Sequence, residues 1–329
     1  MKIKISELTD LTLKALKNYG YTDEESKIIS DVLLYAQLRG NNQGVVKLIG
    51  KGIPKSPDAG EIKIIKETKL SALLDGNLSH SMVVLKKAID MVVQKAKEHG
   101  FGIVGSNHTN TSSGAMGYYA NKIAQQGLIG FAFASGPETV APFCSYEPVY
   151  CTNPLAIGVP SEGDPIVVDM ATSAMAYYGL IEAKTAGKKI PPDIAYDKDG
   201  NLTDDPGKAM DGALRPFDKG QKSSGLAFMV EVFAGPLVAA AFAGGGDLKT
   251  NDGNLLMALD PGLLTDPEEF KRNVSALGRR VKSAKKLPGV SEILLPGERG
   301  NRLTKERMTS GEIDIEDNLY NELKKVAGI

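Results

Sequence analysis

The interleaving of short apolar strands with amphipathic helices is the feature that most constrains the fold of this chain. Residues 101–105 form an apolar run that suits a buried strand, directly after a helical pattern that Gly100 stops. A second helical pattern runs to Ala124, and residues 128–134 give the next strand. Because strands and helices are mixed without an internal repeat, the sequence predicts an α/β or mixed α+β fold.

Length, charge and cysteine count narrow the class of protein. The 329 residues suffice for two modest domains or one large one. A net charge of −1, with no run of five like charges, argues against a nucleic-acid or anionic-membrane surface. The two cysteines, Cys144 and Cys151, exclude a disulfide framework. Since no stretch reaches 18 apolar residues and charges interrupt the first segment, we expect a cytoplasmic protein without a membrane span.

Other segments have recognisable local patterns. Thr22 and Glu25 form a capping box that starts the second of two amino-terminal helices. Residues 62–74 alternate as in a hairpin with its turn at Asp75 and Gly76, and residues 191–218 are typical of a loop. Further helices are predicted at residues 171–186, 225–243, 267–285 and 316–327, and further strands at 155–159, 166–169, 255–259 and 292–295.

The motifs of several enzyme classes are missing. No strand is followed by GxGxxG, so the Rossmann dinucleotide fingerprint is absent, and so are the Walker A, HExxH and GxSxG motifs. The three histidines, His80, His99 and His108, are too scattered for a His-rich metal site, and paired cysteine ligands are lacking. We therefore expect no metal, and we interpret His80 and His99 as structural residues at helix ends.

His108 is the histidine with a plausible chemical role. It follows a buried strand, in a loop of serine, asparagine and threonine that opens a helix, where reactive groups gather in α/β sheets. An imidazole there could exchange the proton of a hydroxyl group, because its pKa lies near neutrality. The alternative is a loop histidine that merely caps the next helix.

A second candidate site lies at residues 169–173. Asp169 ends a predicted strand, and hydroxyls follow at a helix start, where backbone N–H groups could hold a phosphate or the carboxylate a ribose. Plain capping by Thr172 or Ser173 is the simpler alternative. Lys222 lies in a predicted flexible loop and could bind a cofactor phosphate, although lysines in such loops are more commonly just exposed to solvent.

Taken together, these stretches resemble the malate/L-lactate dehydrogenase family, which lacks the Rossmann fold and includes ureidoglycolate and sulfolactate dehydrogenases and diketogulonate and piperideine-2-carboxylate reductases. The resemblance extends from Leu38 to Gly311. The order and spacing of the motifs carry it. These motifs are SNH at 106–108, GYYA at 117–120, GLIG at 127–130, TNP at 152–154, DMATS at 169–173, PF at 216–217 with Lys222, GLA at 225–227 and LPGE at 295–298.

The resemblance implies a fold and an organisation. A non-Rossmann domain with a large mixed sheet would bind the nicotinamide cofactor, NAD or NADP. Residues 61–304 would form it, with a helical insertion, and residues 1–60 with 305–329 would form a helical terminal domain. A homodimer is implied as well.

The resemblance also implies site residues. His108 resembles the family's acid/base residue. The expected cofactor contacts are Ser135, Asn153, Asp169, Met170, Ala171, Thr172, Lys222, Pro296, Gly297 and Glu298. Lys47 and Gln43 stand where many relatives have arginine and histidine. Arginine can donate two parallel hydrogen bonds to a carboxylate, whereas lysine offers a point charge. We therefore expect Lys47 to hold a substrate carboxylate differently from the arginine of its relatives.

The expected function is hydride transfer between NAD(H) or NADP(H) and the alpha carbon of a small 2-hydroxy or 2-oxo acid. The oxo acid would lie with its carboxylate near Lys47, and His108 would protonate the carbonyl oxygen. Two alternatives remain open. The first is a cyclic imino-acid reductase, and the second is a dinucleotide-binding protein without catalysis of its own.

Overall fold

The computed structural model describes residues 1–247 and 250–329. In this part of the chain the α-helices are α1 (Ile5–Asn18), α2 (Asp23–Leu38), α3 (Ser81–His99), α4 (Met116–Ala124), α5 (Tyr177–Thr185), α6 (Pro206–Asp211), α7 (Gln221–Ala234), α8 (Pro267–Lys282), α9 (Glu298–Ser310) and α10 (Asp317–Val326). The strands are β1 (Lys2–Lys4), β2 (Lys63–Glu67), β3 (Ser71–Asp75), β4 (Phe101–Thr109), β5 (Ile129–Ala134), β6 (Leu155–Val159), β7 (Ile166–Met170), β8 (Ala195–Tyr196), β9 (Ala213–Leu214), β10 (Asp252–Leu259) and β11 (Glu312–Asp314).

Seven strands form one mixed sheet in the order β2-β3-β4-β10-β5-β6-β7. Neighbouring strands are antiparallel apart from β3 and β4, which run parallel with α3 as their crossover. The prediction of a mixed α/β fold with a large mixed sheet is thus confirmed. Because β10 lies in the middle of the sheet, a late segment of the chain completes it.

Helices cover both faces of this sheet. On one face, α3 buries Val84 and Val92 in the same apolar cluster as Leu256. On the other face, α7 buries Val230 beside Leu255 in a second cluster. The two leucines are consecutive in β10, so their side chains point to opposite faces. Burial of such a side chain stabilises the fold by about 1.5–3 kcal/mol.

Local signals set the helix ends. The capping box of α2 is present: the Glu25 N–H donates to Thr22 Oγ1 (3.2 Å), and the Thr22 N–H donates to the Glu25 carboxylate (2.8 Å). Gly100 ends α3 in the left-handed conformation, with φ of 81°. A Cβ at Gly100 would lie 2.4 Å from a Leu263 methyl group, so a larger residue would clash as well as strain the backbone.

The two ends of the chain meet. β1 pairs antiparallel with β11, with Ile3 opposite Ile313. Behind this ribbon α1 and α10 pack together, and Leu8 and Leu323 are fully buried in the same core cluster as α3 and the sheet. One continuous apolar core therefore joins the terminal helices to the sheet.

Four local predictions are wrong. The turn of the first hairpin lies at residues 68–70, where the Thr68 N–H donates to Ser71 O (2.8 Å), while the Asp75 carboxylate accepts from the Asn77 N–H and turns the chain toward α3. The loop expected after residue 105 begins late, because β4 continues to Thr109 opposite β10. Residues 292–295 form no strand, since no neighbouring strand pairs with them in the described part of the chain. The helix predicted at 225–243 stops at Ala234, because a glycine and a proline follow.

The insertion between β7 and α7 is more ordered than its sequence suggests. The helix predicted from residue 171 begins at Tyr177, because Ala174 instead donates its N–H to Arg215 O (2.7 Å). The predicted loop at 191–218 contains β8, α6 and β9. Leu180 and Leu214 are buried in a small apolar core of their own. The insertion therefore forms a folded unit against the end of the sheet.

Candidate active site

A cavity of about 500 Å³ lies at one end of the central sheet. This volume falls within the range of roughly 300–1,000 Å³ that is usual for small-molecule sites. The ends of β5 and β10, the loops at residues 110–114 and 151–154, and the helices α5 and α6 form its walls. The cavity thus brings together six segments that are separate in the sequence.

Hydrogen bonds between neighbouring strands hold the sheet side of the cavity. Asn254 of β10 donates from Nδ2 to Thr109 Oγ1 of β4 (3.2 Å). The Ser135 N–H, just after β5, donates to Gly253 O (3.1 Å). Both Asn254 and Ser135 line the cavity, so this wall is positioned by the sheet itself.

Lys47 lies immediately behind the opposite wall. It belongs to a short 3-10 helix at Val45–Leu48, and its side chain is fully buried. Its Nζ donates to Ser112 Oγ at 2.6 Å and lies 3.4 Å from the centre of the Tyr178 ring. Both neighbours line the cavity. Burial lowers the pKa of Lys47 well below its usual range, and the nearby Cys151 offsets this only in part.

Ser112 is placed to present a hydrogen-bond donor to the cavity. Its Oγ accepts from Lys47 Nζ and from the Gly114 N–H (3.2 Å). A serine hydroxyl has one hydrogen and two lone pairs. Because both lone pairs are used, the hydroxyl hydrogen is free to donate to a ligand.

The backbone that carries Ser112 is strained. Thr111 has φ of 68° and His108 has φ of 48°, both in the left-handed region. For a β-branched residue such as threonine this conformation is an outlier, and such outliers cluster at functional sites. The loop is therefore held in its shape by its surroundings.

His108 does not line the cavity. Its imidazole Nδ1 lies 3.4 Å from Asp75 Oδ1, and 55% of the side chain is exposed. Its backbone N–H donates to Asn251 Oδ1 (2.7 Å). The structure thus brings Lys47 to the cavity wall and leaves His108 at the solvent-facing end of β4.

Of the expected cofactor contacts, Ser135 lines the cavity, and Asn153 and Thr172 are connected to the lining residue Thr152. Thr172 donates from Oγ1 to Thr152 O (3.0 Å). Asn153 is fully buried and donates from Nδ2 to Ala227 O (2.9 Å) and to the Glu231 carboxylate (2.7 Å). These bonds tie the cavity rim to α7.

Asp169 and Met170 are the last residues of β7, and Ala171 follows them toward the rim. Met170 packs into the apolar cluster under α7. The Asp169 carboxylate lies beside Gly117 at the start of α4, where the surrounding protein raises its pKa to about 6 although the Gly117 N–H donates to it. None of the three lines the cavity directly.

Lys222 and the 296–298 turn lie further away. Lys222 is exposed in the first turn of α7, whose N-cap residue, Gly220, has no side chain to cap it. The Asp218 carboxylate accepts from the Gly220 N–H at this end (2.8 Å), and a lysine at a helix start can attract a further anion. Gly297, between Pro296 and Glu298, accepts a bond from Arg39 (3.1 Å) and packs on β7, away from the cavity.

Unpartnered polar atoms are concentrated at the cavity. In the described part of the chain, Thr111 Oγ1, Thr139 Oγ1 and Asp252 Oδ1 are buried without a hydrogen-bond partner, and all three residues line it. Asn153 Oδ1, beside the rim, is a fourth. Because buried polar groups are normally satisfied, these atoms suit a polar ligand such as the amide, ribose and acid groups of a nicotinamide cofactor with its substrate. Among the described residues, no three metal-ligating side chains cluster together.

Sequence reasoning missed several lining residues. Tyr178 was only part of a predicted helix, and Asp252 preceded a predicted strand. Ser112 is one of several hydroxyl residues in the predicted loop after His108, and nothing in the sequence distinguishes it from the others. The sequence signal for Asp252 is a carboxylate at the start of an apolar strand. Its burial is not predictable from local sequence, because it depends on segments more than 70 residues away.

Comparisons with known proteins identify the family of the chain. The malate/L-lactate dehydrogenase family profile matches residues 3–324. A malate/(S)-sulfolactate dehydrogenase of Methanothermus fervidus is 38% identical over 99% of this chain and 97% of its own length. The Delta(1)-pyrroline-2-carboxylate reductase 1 of Burkholderia ambifaria is 32% identical over 79% of each chain. The malate dehydrogenase of Entamoeba histolytica superposes with a TM-score of 0.88 at 27% identity, over 100% of this chain and 97% of that one.

These similarities define an oxidoreductase that acts on CH–OH groups and uses a nicotinamide dinucleotide. The chain belongs to the malate/L-lactate dehydrogenase family. No helix in the described ranges is long and apolar enough to cross a bilayer.

Proposed function

We propose that this protein transfers a hydride between NAD(H) or NADP(H) and the alpha carbon of a small 2-hydroxy or 2-oxo acid. The observation that carries the proposal is the contact between Lys47 and Ser112 at the wall of the cavity. The charged form of Lys47 and the free hydroxyl hydrogen of Ser112 would together bind an anion. The names of the relatives, which include dehydrogenases, support the same proposal.

A substrate carboxylate fits the charge balance of this wall. No carboxylate pairs with Lys47 in the described part of the chain, so its charged form lacks a counter-ion. An anion at Ser112 would favour the protonated lysine, because opposite charges in a poorly solvated place attract strongly. The Ser112 hydroxyl would donate to the carboxylate while the Lys47 ammonium holds the serine oxygen.

The expected cofactor residues divide into two groups. Ser135, Asn153 and Thr172 would hold the reactive end near the cavity, and Lys222 with the start of α7 would hold a phosphate. Asp169, Met170, Ala171 and the turn of Pro296, Gly297 and Glu298 would contact the remainder. When bound, the nicotinamide supplies the hydride acceptor or donor, and the chain orients the substrate and excludes water.

The reduction also needs a proton. The role expected for His108 stays a prediction, and it would require the imidazole to leave Asp75 and turn toward the cavity. Geometry is a fair first test of an acid/base candidate, although such contacts often tighten only with substrate bound.

The decisive experiment is a titration of the purified protein with NADH and with NADPH, followed by reduced-cofactor fluorescence. A panel of oxaloacetate, pyruvate and sulfopyruvate is then added. We expect binding of at least one cofactor and its oxidation by a panel member. Failure of both cofactors to bind would overturn the proposal.

A cyclic imino-acid reductase is the second candidate. The named pyrroline-2-carboxylate reductase among the relatives favours it. The same anchor at Lys47 and Ser112 would hold the imino acid's carboxylate. Addition of Δ1-pyrroline-2-carboxylate to the same assay separates the two candidates, because oxidation of the cofactor by the imine alone would favour this one.

We also propose a cytoplasmic homodimer, with a terminal helical domain of residues 1–60 and 305–329 and a main domain of residues 61–304. An apolar surface on and after α7 supports the dimer, since Phe228, Met229, Leu237 and Phe242 are exposed there. Light scattering should give twice the mass of one chain. Phe228→Glu should shift the protein toward the monomer, whereas Leu264→Glu, at an exposed leucine elsewhere, should not.

A further inference from the structure

A proton donor must face the cavity if the oxo acid is to be reduced there. Hydride addition to the carbonyl carbon leaves an oxygen that needs a proton. The ionisable side chains in the described lining are Cys151, Tyr177, Tyr178, Asp252 and Glu138. Glu138 is exposed to solvent, whereas the other four are at least partly enclosed. The choice therefore falls among these four groups.

We propose that Asp252 is the proton donor of this site in the reduction and the proton acceptor in the oxidation. The proposal rests on the function proposed above. It is carried by the position of the Asp252 carboxyl group, whose Oδ1 is buried at the cavity wall without a hydrogen-bond partner.

The surroundings of Asp252 fix this position. Its carbonyl oxygen accepts from Thr109 Oγ1 (2.7 Å), so the start of β10 is tied to the end of β4. Across from it lies Gly136, where a Cβ would be 3.5 Å from Asp252 Oδ1 and 3.4 Å from Cys151 Sγ. The carboxyl group therefore faces the backbone next to Ser135, an expected cofactor contact.

Burial, without a cation beside it in the described part of the chain, favours the protonated form of Asp252. No described cation pairs with it, and burial raises its pKa well above the usual range. The titratable groups near it are Cys151 and Tyr178, whose pKa values burial raises to about 11 and about 12. Lys47 lies beyond Tyr178, and Glu231 on α7 lies beyond Cys151. A neutral carboxylic acid in such a site can donate a hydrogen bond and a proton near pH 7.

The other enclosed groups are less suitable. Raised pKa values make the Cys151 thiol and the Tyr177 and Tyr178 hydroxyls poor acids at neutral pH, whereas an effective acid has a pKa near the working pH. The Lys47 nitrogen is separated from the cavity by Ser112 and Tyr178. Asp252 alone among the enclosed lining groups combines a place in the cavity wall with a carboxyl group, whose normally low pKa burial raises.

The step balances without a further reactant. The carbonyl π bond breaks, the hydride of the reduced nicotinamide forms the new C–H bond, and the Asp252 proton forms the new O–H bond. The carbon is reduced and the nicotinamide is oxidised. Asp252 is left as a carboxylate, and solvent returns its proton through the open side of the cavity.

The kinetic test compares Asp252→Asn with wild type and with the matched control Glu182→Gln. Glu182 is another carboxyl with a raised pKa, but it lies on α5 away from the cavity lining. We expect kcat for reduction to fall about 10²–10⁴-fold in Asp252→Asn, with reduced-cofactor binding retained. The decline of the wild-type rate at high pH should also disappear. Retained kcat in Asp252→Asn would overturn the proposal, as would a comparable loss in Glu182→Gln.

A spectroscopic readout checks the protonation state without turnover. Infrared spectra of the protein at neutral pH should contain a protonated-carboxyl C=O band that Asp252→Asn lacks and Glu182→Gln keeps. Absence of this difference would overturn the proposal. Failure of the proposed function is distinguishable, because the wild-type protein itself would then oxidise neither cofactor with any acid or imine.

Discussion

The sequence predicts Lys47 and His108 alike as catalytic residues, but the structure places the two side chains in different surroundings. Lys47 lies in a short 3-10 helix, fully buried, with its nitrogen against a serine and a tyrosine of the cavity wall. His108 lies at the end of a central strand, more than half exposed, with a carboxylate beside it. A reactive residue type therefore identifies a site only when the fold also buries its side chain.

Of the variants that test this contrast, Lys47→Met should have the largest effect. Leaving a buried anion without its partner costs about 3–5 kcal/mol, so kcat/KM for the oxo acid should fall roughly 10²- to 4 × 10³-fold. Steady-state kinetics would measure this, with Lys51→Met as control, since Lys51 is exposed on the neighbouring turn. An unchanged kcat/KM in Lys47→Met would contradict the proposal that Lys47 helps to bind the substrate carboxylate.

Ser112→Ala should have the next largest effect. A hydrogen bond to a charged group contributes about 1.5–3 kcal/mol, which corresponds to roughly a 10- to 100-fold loss in kcat/KM. Ser113→Ala is the matched control, because the Ser113 side chain makes no contact with Lys47 among the described hydrogen bonds. A loss confined to Ser113→Ala would place the anion elsewhere on the loop.

The stability of Lys47→Met should sharpen the comparison further. Burial lowers the pKa of Lys47 in the folded state, so at neutral pH the unfolded chain binds more protons and wild-type stability rises with pH toward the unfolded value near 10.4. The variant lacks this dependence. Its free energy of unfolding should exceed that of wild type at pH 6, and the advantage should shrink at pH 9. Urea unfolding at both pH values measures it, and a pH-independent difference would contradict the expectation.

His108→Ala should have the smallest effect. Exposed substitutions usually change stability by less than about 0.5 kcal/mol, and the imidazole touches no lining residue that the proton transfer requires. We expect kcat to change less than about tenfold. A fall of about 10²–10⁴-fold would restore the sequence-based assignment of His108 as the acid and would count against Asp252.

Much of the fold was predictable from local patterns. The helices with strong signals, such as α2 with its capping box and α3 with Gly100, are where the sequence puts them. The family and the type of enzyme followed from spaced motifs, and the comparisons confirm both. The errors fall where tertiary contacts decide, as at residues 172–174, which pair with residues 215–217 instead of forming the start of α5.

The site was less predictable for a physical reason. Asp252 meets the cavity because β10 lies between β4 and β5, and Tyr178 meets Lys47 because the insertion folds back over residues 45–48. Neither neighbour is close in sequence. The spacing of residues along the chain therefore does not predict which side chains are buried by distant segments.

The central place of β10 also bears on how the protein is made. β4 and β5 leave the ribosome long before residues 252–259, and until then their inner edges have no partner on the side that β10 will occupy. Unpaired edges of this kind favour association between unfinished chains, and such long-range pairing slows folding. The nascent protein therefore has a long interval in which a chaperone would help, and the segment that ends this interval begins with Asp252.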